Sequence, residues 1–323
     1  MADNGRVTPR GNSYRKAGMS GAPAQITVPE WLTRSVGTDE EGRQWLAELP
    51  ALVAAHLARW DLTLERVLDP GGSLSLVGYV RRDDLSPAVL KSGRTTPETA
   101  AEHAALSHWA GRGAVLLLDA DPAQGVLLLE RLHGDIPLRS LAEAKAMLEA
   151  TSLLHRLWVE PAEGHPFPSL ADRAGYLADG LRRRRGLPGA VEADALVAEA
   201  LETADGLVGS AAEAFLLHGD FHHGNVLAAD RAPWLTIDPR PLVGERAFDL
   251  ARLALDRADT LVGSPGVPAA VRRRLHQLSD ALEVDRERLR GWTLFRATDL
   301  GLRALAAGRG EDAELYLEFA GAL

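Results

Sequence analysis

Cysteine is absent from the 323 residues, which excludes a disulfide framework, a thiolate metal site and a cysteine nucleophile. Any metal must then be held by oxygen or nitrogen. Long apolar runs are also missing. The longest, 114–118 and 126–129, fall far short of the about 18–20 residues that a membrane span needs, so no membrane partner is expected. Arg6, Arg10, Arg15 and Lys16 near the start are followed by no hydrophobic stretch, which argues against a secretory signal and for a cytoplasmic location. Positive charge is in deficit, with 36 Lys and Arg against 45 Asp and Glu and a formal net charge of −9. No nucleic acid partner is expected, because neutralising phosphates requires a basic face. Lysine is scarce, occurring only at positions 16, 91 and 145, so a lysine inside a strand calls for a reason. No Gly-x-x-x-x-Gly-Lys-Ser/Thr sequence is present, which argues against a Walker-type ATPase.

What is present describes a globular chain, 46% hydrophobic and 25% charged, with one or two domains. Residues 1–26, rich in Gly, Pro, Asn, Ser and Arg without periodicity, read as a disordered leader, with Met19 a second candidate start. From Val28 onward Trp31, Leu32, Trp45, Leu46, Leu49, Val53 and Leu57 recur at helical spacing. Short β-rich segments follow near 63–68, 73–80, 87–91, 114–119 and 125–131, separated by turn signals. One helix interrupts them, with Thr96 as N-cap and Pro97 at its first position. Beyond residue 141 the pattern turns helical near 141–158, 170–183, 190–208, 246–260, 268–283, 286–307 and 311–322. A β-rich island at 215–217, 226–228 and 234–237 breaks the series. The fold class is therefore α+β. The lobes expected are 27–132, a five-stranded antiparallel sheet with one helix, and 133–323, mainly helical.

The sharpest local signal is His218-Gly219-Asp220-Phe221-His222-His223-Gly224-Asn225, followed one strand later by Ile237-Asp238-Pro239. Phosphoryl transfer needs an Asp to accept the hydroxyl proton, and an Asn and a second Asp nearby to hold magnesium on the nucleotide phosphates. A path of strand, loop, strand, turn and strand can bring Asp220, Asn225 and Asp238 together. A hydrolase that binds zinc through His218, Asp220, His222 and His223 is the competing chemical reading.

These stretches, with Arg240-Pro241-Leu242-Val243-Gly244-Glu245-Arg246, Phe248-Asp249-Leu250 and Arg290-Gly291-Trp292-Thr293-Leu294, resemble the aminoglycoside and hydroxyurea phosphotransferases. The resemblance runs from about Val28 to the C-terminus and includes the streptomycin 6-kinases. It implies a protein-kinase-like two-lobed fold and ATP-dependent O-phosphorylation, with Asp220 as base and Asn225 and Asp238 as magnesium ligands. It also implies that Asp249 braces the catalytic loop, and that the backbone around Glu130 and Leu132 meets adenine at a hinge.

A kinase also needs a strand lysine for the α- and β-phosphates and a helix glutamate to fix it. Ala88-Val89-Leu90-Lys91 supplies the first. Glu102 supplies the second, sharing a helical stripe with Ala105, Leu106 and Trp109, which points it inward. Glu98 is the competitor one turn earlier. Asp69-Pro70-Gly71-Gly72-Ser73-Leu74-Ser75 stands where a phosphate-covering loop would lie, or is a plain hairpin turn. Candidates on the acceptor side are Asp249, Asp256, Asp259, Trp292, Arg296, Asp299 and Arg303. The cofactors expected are ATP and Mg2+, and the partner a small-molecule acceptor bound by a monomer. An aminoglycoside such as streptomycin is the first acceptor, then hydroxyurea, an amino sugar or another metabolite. A non-catalytic nucleotide-binding regulator is the alternative of a different class.

Overall fold

The computed structural model describes residues 26–69, 71–72, 74–262 and 266–323. All but the last residue of the expected leader, with Met19, lies outside the described residues, as do Pro70 and Ser73 of the expected phosphate-covering loop.

Two helices open the described chain, α1 (Glu30–Val36) and α2 (Glu40–Arg59). The Asp39 side chain caps α2 by accepting from the Gly42 N–H at 2.6 Å. Five strands follow: β1 (Thr63–Val67), β2 (Ser75–Arg81), β3 (Pro87–Gly93), β4 (Leu117–Asp121) and β5 (Val126–Glu130). They form one antiparallel sheet in the order β1-β2-β3-β5-β4. Between β3 and β4 runs α3 (Pro97–Trp109), closed at its start by a reciprocal pair. The Thr99 N–H donates to Thr96 Oγ1 at 3.3 Å, and the Thr96 N–H donates to Thr99 Oγ1 at 2.9 Å.

Because successive strand residues face opposite sides, the sheet feeds two cores. Leu76, Val80, Ala88, Leu90, Val126 and Leu128 pack against Leu32, Val36, Leu46, Leu49 and Val53 of α1 and α2. Leu127 and Leu129 face the other way, into the core shared with Ala101, Ala105, Leu106 and Trp109 of α3 and with the second lobe. Lys91 pairs in register with Leu127, so it stands on this second face.

The second lobe contains β6 (His133–Pro137), α4 (Glu143–Leu157), α5 (Leu170–Arg184) and α6 (Asp194–Gly209). Next come β7 (Phe215–Leu217), β8 (Val226–Ala228), β9 (Trp234–Thr236) and β10 (Leu242–Gly244). Four helices close the chain, α7 (Arg246–Ala254), α8 (Val267–Leu282), α9 (Arg286–Ala306) and α10 (Gly310–Gly321). The centre is α9, whose Trp292 meets Phe248 and Phe295 edge to face at 5.2 and 5.9 Å.

The structure corrects three expectations. The fourth strand begins at Leu117 rather than 114, because the preceding backbone leaves the sheet to join the other lobe: the Val115 N–H donates to Thr236 O at 2.8 Å, and the Thr236 N–H to Gly113 O at 2.9 Å. The helix expected over 246–260 stops at Ala254, and Arg257 adopts a left-handed φ of 55° ahead of a short 3-10 turn. Finally, β6 and β10 were not anticipated. Each is stabilised by a strand distant in sequence, β6 by β8 and β10 by β7. Among the described residues no helix is long and apolar enough to cross a membrane.

The lobes are also latched at the rear. Arg231, in the β8–β9 turn, donates to Gly111 O at 2.7 Å and Ala114 O at 2.8 Å, and pairs with Glu130 at 2.6 Å.

Candidate active site

The loop between β7 and β8 carries His218 to Asn225 and is held from beneath by two carboxylates. Asp249, fully buried on α7, accepts from the His218 N–H at 2.8 Å, the Gly219 N–H at 2.7 Å and Trp158 Nε1–H at 3.2 Å. Burial pushes its carboxyl pKa up, and these converging donors oppose that shift. Asp256 holds the far half of the loop, accepting from the His223 N–H at 2.8 Å and pairing with His223 Nδ1 at 2.5 Å. Burial would raise the Asp256 carboxyl, but the hydrogen bonds from His223 outweigh it and hold it well below the usual range. Both aspartates, named as acceptor candidates from sequence, are spent on the loop, Asp249 in the bracing role that the resemblance also implies.

Gly219 is required where it stands. Its φ is +78°, and a Cβ there would lie 1.9 Å from Arg240 O. The buried His218 ring ties the loop to the strand end: Nδ1 accepts from the Asp220 N–H at 3.3 Å, which leaves Nε2–H to donate to Ile237 O at 3.0 Å. Burial lowers its pKa and keeps the ring neutral. Both ring nitrogens of His218 are thus occupied, which removes it from the zinc reading. Among the described residues no three His, Asp or Glu converge as a metal cluster.

The loop delivers Asp220 to a cleft between the lobes with a volume of about 830 Å³, lined also by Lys91, Glu102 and Asp238, whereas Asn225 is not among the lining residues. Lys91 Nζ donates to Glu102 Oε1 at 2.6 Å and also contacts Asp238. Thus Glu102, not Glu98, takes the lysine. Burial alone would lower the Lys91 pKa, and the two carboxylates override it, keeping the ammonium charged. The same pairing with Lys91, set against burial, lowers Asp238. Asp238 adopts a left-handed φ of 57°, turning the chain directly after β9. Asn225 lies beside it through the Ile237 N–H to Asn225 O bond of 2.9 Å. Its Nδ2 donates to Asp220 O at 3.0 Å, which leaves its amide oxygen as an acceptor. One amide oxygen and one carboxylate suit magnesium, which takes few protein ligands and completes its octahedron with phosphate oxygens and water.

Asp220 is surrounded by cations. Arg252 Nε lies 3.2 Å from Oδ1, Arg240 Nε 3.9 Å from Oδ2 and Arg296 Nη2 4.0 Å from Oδ1. Burial would raise the carboxyl, but Arg252, then His222, Arg296 and Arg240, hold it at about 2. Arg252 was missed from sequence, and Arg240 was quoted there without a role. The available signal was spacing, since Arg252 follows Asp249 by three residues and so shares its side of α7.

Glu130 and Leu132 are not among the residues lining this cleft. The Glu130 carboxylate accepts from the Leu116 N–H at 2.7 Å and from Arg231, leaving only its backbone for a hinge role. On the acceptor side, Trp292 is buried with its indole N–H on Glu245, whereas Arg296, Asp299 and Arg303 do line the cleft. Asp299 pairs with Arg303 at 2.8 Å within α9 and with Arg184 at 3.5 Å. Asp259 lies in the short turn after α7, 3.9 Å from Arg139.

The family model for aminoglycoside/hydroxyurea antibiotic resistance kinases matches residues 59–308. The chain belongs to this family. It is accordingly a phosphotransferase with an alcohol group as acceptor, a small-molecule kinase. Streptomycin 6-kinase of Streptomyces glaucescens is 39% identical over 274 residues, covering 84% of this chain and 88% of that protein. Hydroxyurea phosphotransferase of Kitasatospora aureofaciens is 39% identical over 269 residues, covering 79% and 73%. Among solved structures, aminoglycoside phosphotransferase APH(4)-Ia with ADP and hygromycin B gives a TM-score of 0.59 at 15% identity, covering 83% of this chain and 96% of that one. Choline kinase LicA of Streptococcus pneumoniae gives 0.58 at 12% identity, covering 85% and 100%. Both carry the protein-kinase-like fold expected from the sequence.

Proposed function

We propose that this kinase transfers the γ-phosphoryl group of ATP, with magnesium, to a hydroxyl of an aminoglycoside of the streptomycin type. The observation that carries the reading is the meeting of Lys91, Glu102 and Asp238 with Asp220 at one cleft, with Asn225 tied to the Asp220 carbonyl just behind it. Lys91, oriented by Glu102, would hold the α- and β-phosphates, and Asn225 and Asp238 would hold the metal. Magnesium, when bound, neutralises phosphate charge and aligns the terminal phosphoryl group for in-line attack. The Glu130 carbonyl and the Leu132 N–H would meet adenine. Lobe 27–132 would then serve the nucleotide and 133–323 the acceptor, in a cytoplasmic monomer.

Asp220 accepts the acceptor hydroxyl and takes its proton. A carboxylate at about 2 is a weak base, so its main contribution is orientation, with the proton moving as the new P–O bond forms. Streptomycin is preferred because two relatives of about 40% identity are named for it. Hydroxyurea is the second reading, favoured by Arg173, Arg252, Arg296 and Arg303 along the cleft, which would repel a polycation but not a small neutral acceptor.

The test is ADP release from Mg-ATP with streptomycin, other aminoglycosides, hydroxyurea and amino sugars in turn, beside Asp220→Ala. Acceptor-dependent turnover that vanishes in the variant supports the reading. Nucleotide binding without turnover on any of these acceptors would overturn it.

A further inference from the structure

Asp220 is approached by more guanidinium groups than it hydrogen-bonds, since among the described residues only Arg252 donates to it. Three guanidinium groups, from Arg240 before β10, Arg252 on α7 and Arg296 on α9, lie within 4.0 Å of its single carboxylate. Two of their nitrogens, Arg252 Nη1 and Arg296 Nε, are buried with no hydrogen-bond partner among the described residues. The Arg296 side chain is only 9% exposed and its guanidinium lies 5.0 Å from the centre of the Phe248 ring. Burial draws its pKa down to about 10, so the group is held charged in an unfavourable setting. A buried unsatisfied donor costs about 1–3 kcal/mol. Holding Asp220 in place therefore does not account for the cluster, since one carboxylate leaves donors over.

Geometry names the missing ligand. In a near-attack arrangement the acceptor oxygen lies about 3–3.5 Å from phosphorus while hydrogen-bonded to the base. Arg240, Arg252 and Arg296 lie within 4.0 Å of that carboxylate and line the same cleft as Lys91 and Asp238, which puts them on the side where the oxygens on that phosphorus would lie. We propose that Arg240, Arg252 and Arg296 form an anion site that takes the phosphoryl group in transit and then the phosphate monoester it becomes. This rests on the kinase reading above and is independent of which acceptor is used.

In the transfer step the bond between the γ-phosphorus and the β–γ bridging oxygen breaks, and its electron pair leaves with ADP. A new bond forms from phosphorus to the acceptor oxygen, whose proton passes to Asp220. In the loose transition state negative charge is spread over the three equatorial oxygens, and three guanidinium groups match that distribution.

The test is calorimetric titration of Mg-ADP with and without aluminium fluoride, which mimics the phosphoryl group in transit, using wild type, Arg240→Gln and Arg252→Gln. Arg240 is half-exposed, so its replacement does not threaten the fold. Wild type should bind Mg-ADP about tenfold or more tightly with the fluoride, and both variants should lose that gain while keeping their affinity for Mg-ADP alone. Their kcat should fall about a hundredfold or more with acceptor KM within twofold. A gain that survives in both variants, or is absent in wild type that binds Mg-ADP, would overturn the proposal and leave the kinase reading intact. So would an unchanged kcat with raised acceptor KM, which assigns the arginines to the acceptor. Wild type that fails to bind Mg-ADP would sink the kinase reading itself.

Discussion

Replacing Asp249 by asparagine tests whether the catalytic loop is held from beneath. The Asp249 carboxylate accepts three N–H groups at 2.7, 2.8 and 3.2 Å and is fully buried. The amide of the variant has the same shape but only one acceptor oxygen, and its NH2 must face at least one of those donors. Losing a charge-assisted bond costs about 1.5–3 kcal/mol, and stranding a buried N–H about 1–3 kcal/mol more. With partial relaxation Asp249→Asn should destabilise by about 3 kcal/mol, a shift on the order of 1 M in the urea midpoint. Because Gly219 and Asp220 follow directly from the bonded amides, kcat should fall by more than tenfold even where the variant is fully folded. Urea titration read by tryptophan fluorescence, which includes Trp158, measures the first effect, and ADP release the second. An unchanged midpoint and unchanged kcat would refute the reasoning, because they would show that position 249 tolerates a neutral group and that the loop needs no carboxylate.

Two further outcomes follow from the same charges. Replacing Lys91 by methionine leaves Glu102 and Asp238 facing each other without their cation, so KM for ATP should rise and kcat fall by about a hundredfold or more, read in initial-rate kinetics; unaltered kinetics would remove Lys91 from the nucleotide site. Asp220 sits at about 2 when folded, below its ordinary 3.8. That stabilisation is complete above about pH 4 and disappears as pH falls through about 2. Wild type should therefore exceed Asp220→Asn by on the order of 2 kcal/mol at neutral pH, with the gap closing below pH 4 in denaturant titrations. A gap independent of pH would mean that the arginines do not act on that carboxylate.

How much of this was legible in the sequence follows the distance over which each feature is decided. The candidate catalytic loop was readable because Asp220 and Asn225 lie within one loop and Asp238 within one hairpin of them. Helix α3 announced itself through Thr96 and Pro97, and the inward stripe of Glu102 located the partner of Lys91. Strands β6 and β10 were not readable, since five polar-rich residues and three apolar ones form strands only when a remote partner supplies the ladder. The left-handed turn at Arg257 defeated helical periodicity for the same reason: nothing local marks it. Asp249 was readable as a brace only through the family resemblance, and Asp256 not as a brace at all, because whether a carboxylate faces substrate or backbone depends on what packs above it. The arginine cluster draws on a loop and two helices spanning positions 240 to 296, and only the fold brings those groups to one carboxylate.

The central claim is that this chain phosphorylates a small-molecule hydroxyl through Asp220. Its most direct test is mass spectrometry of streptomycin and of hydroxyurea after incubation with Mg-ATP and either wild type or Asp220→Asn, with folding of the variant checked by circular dichroism. The account predicts that one of the two compounds gains a single phosphoryl group with wild type and none with the folded variant; equal phosphorylation by both proteins would contradict it.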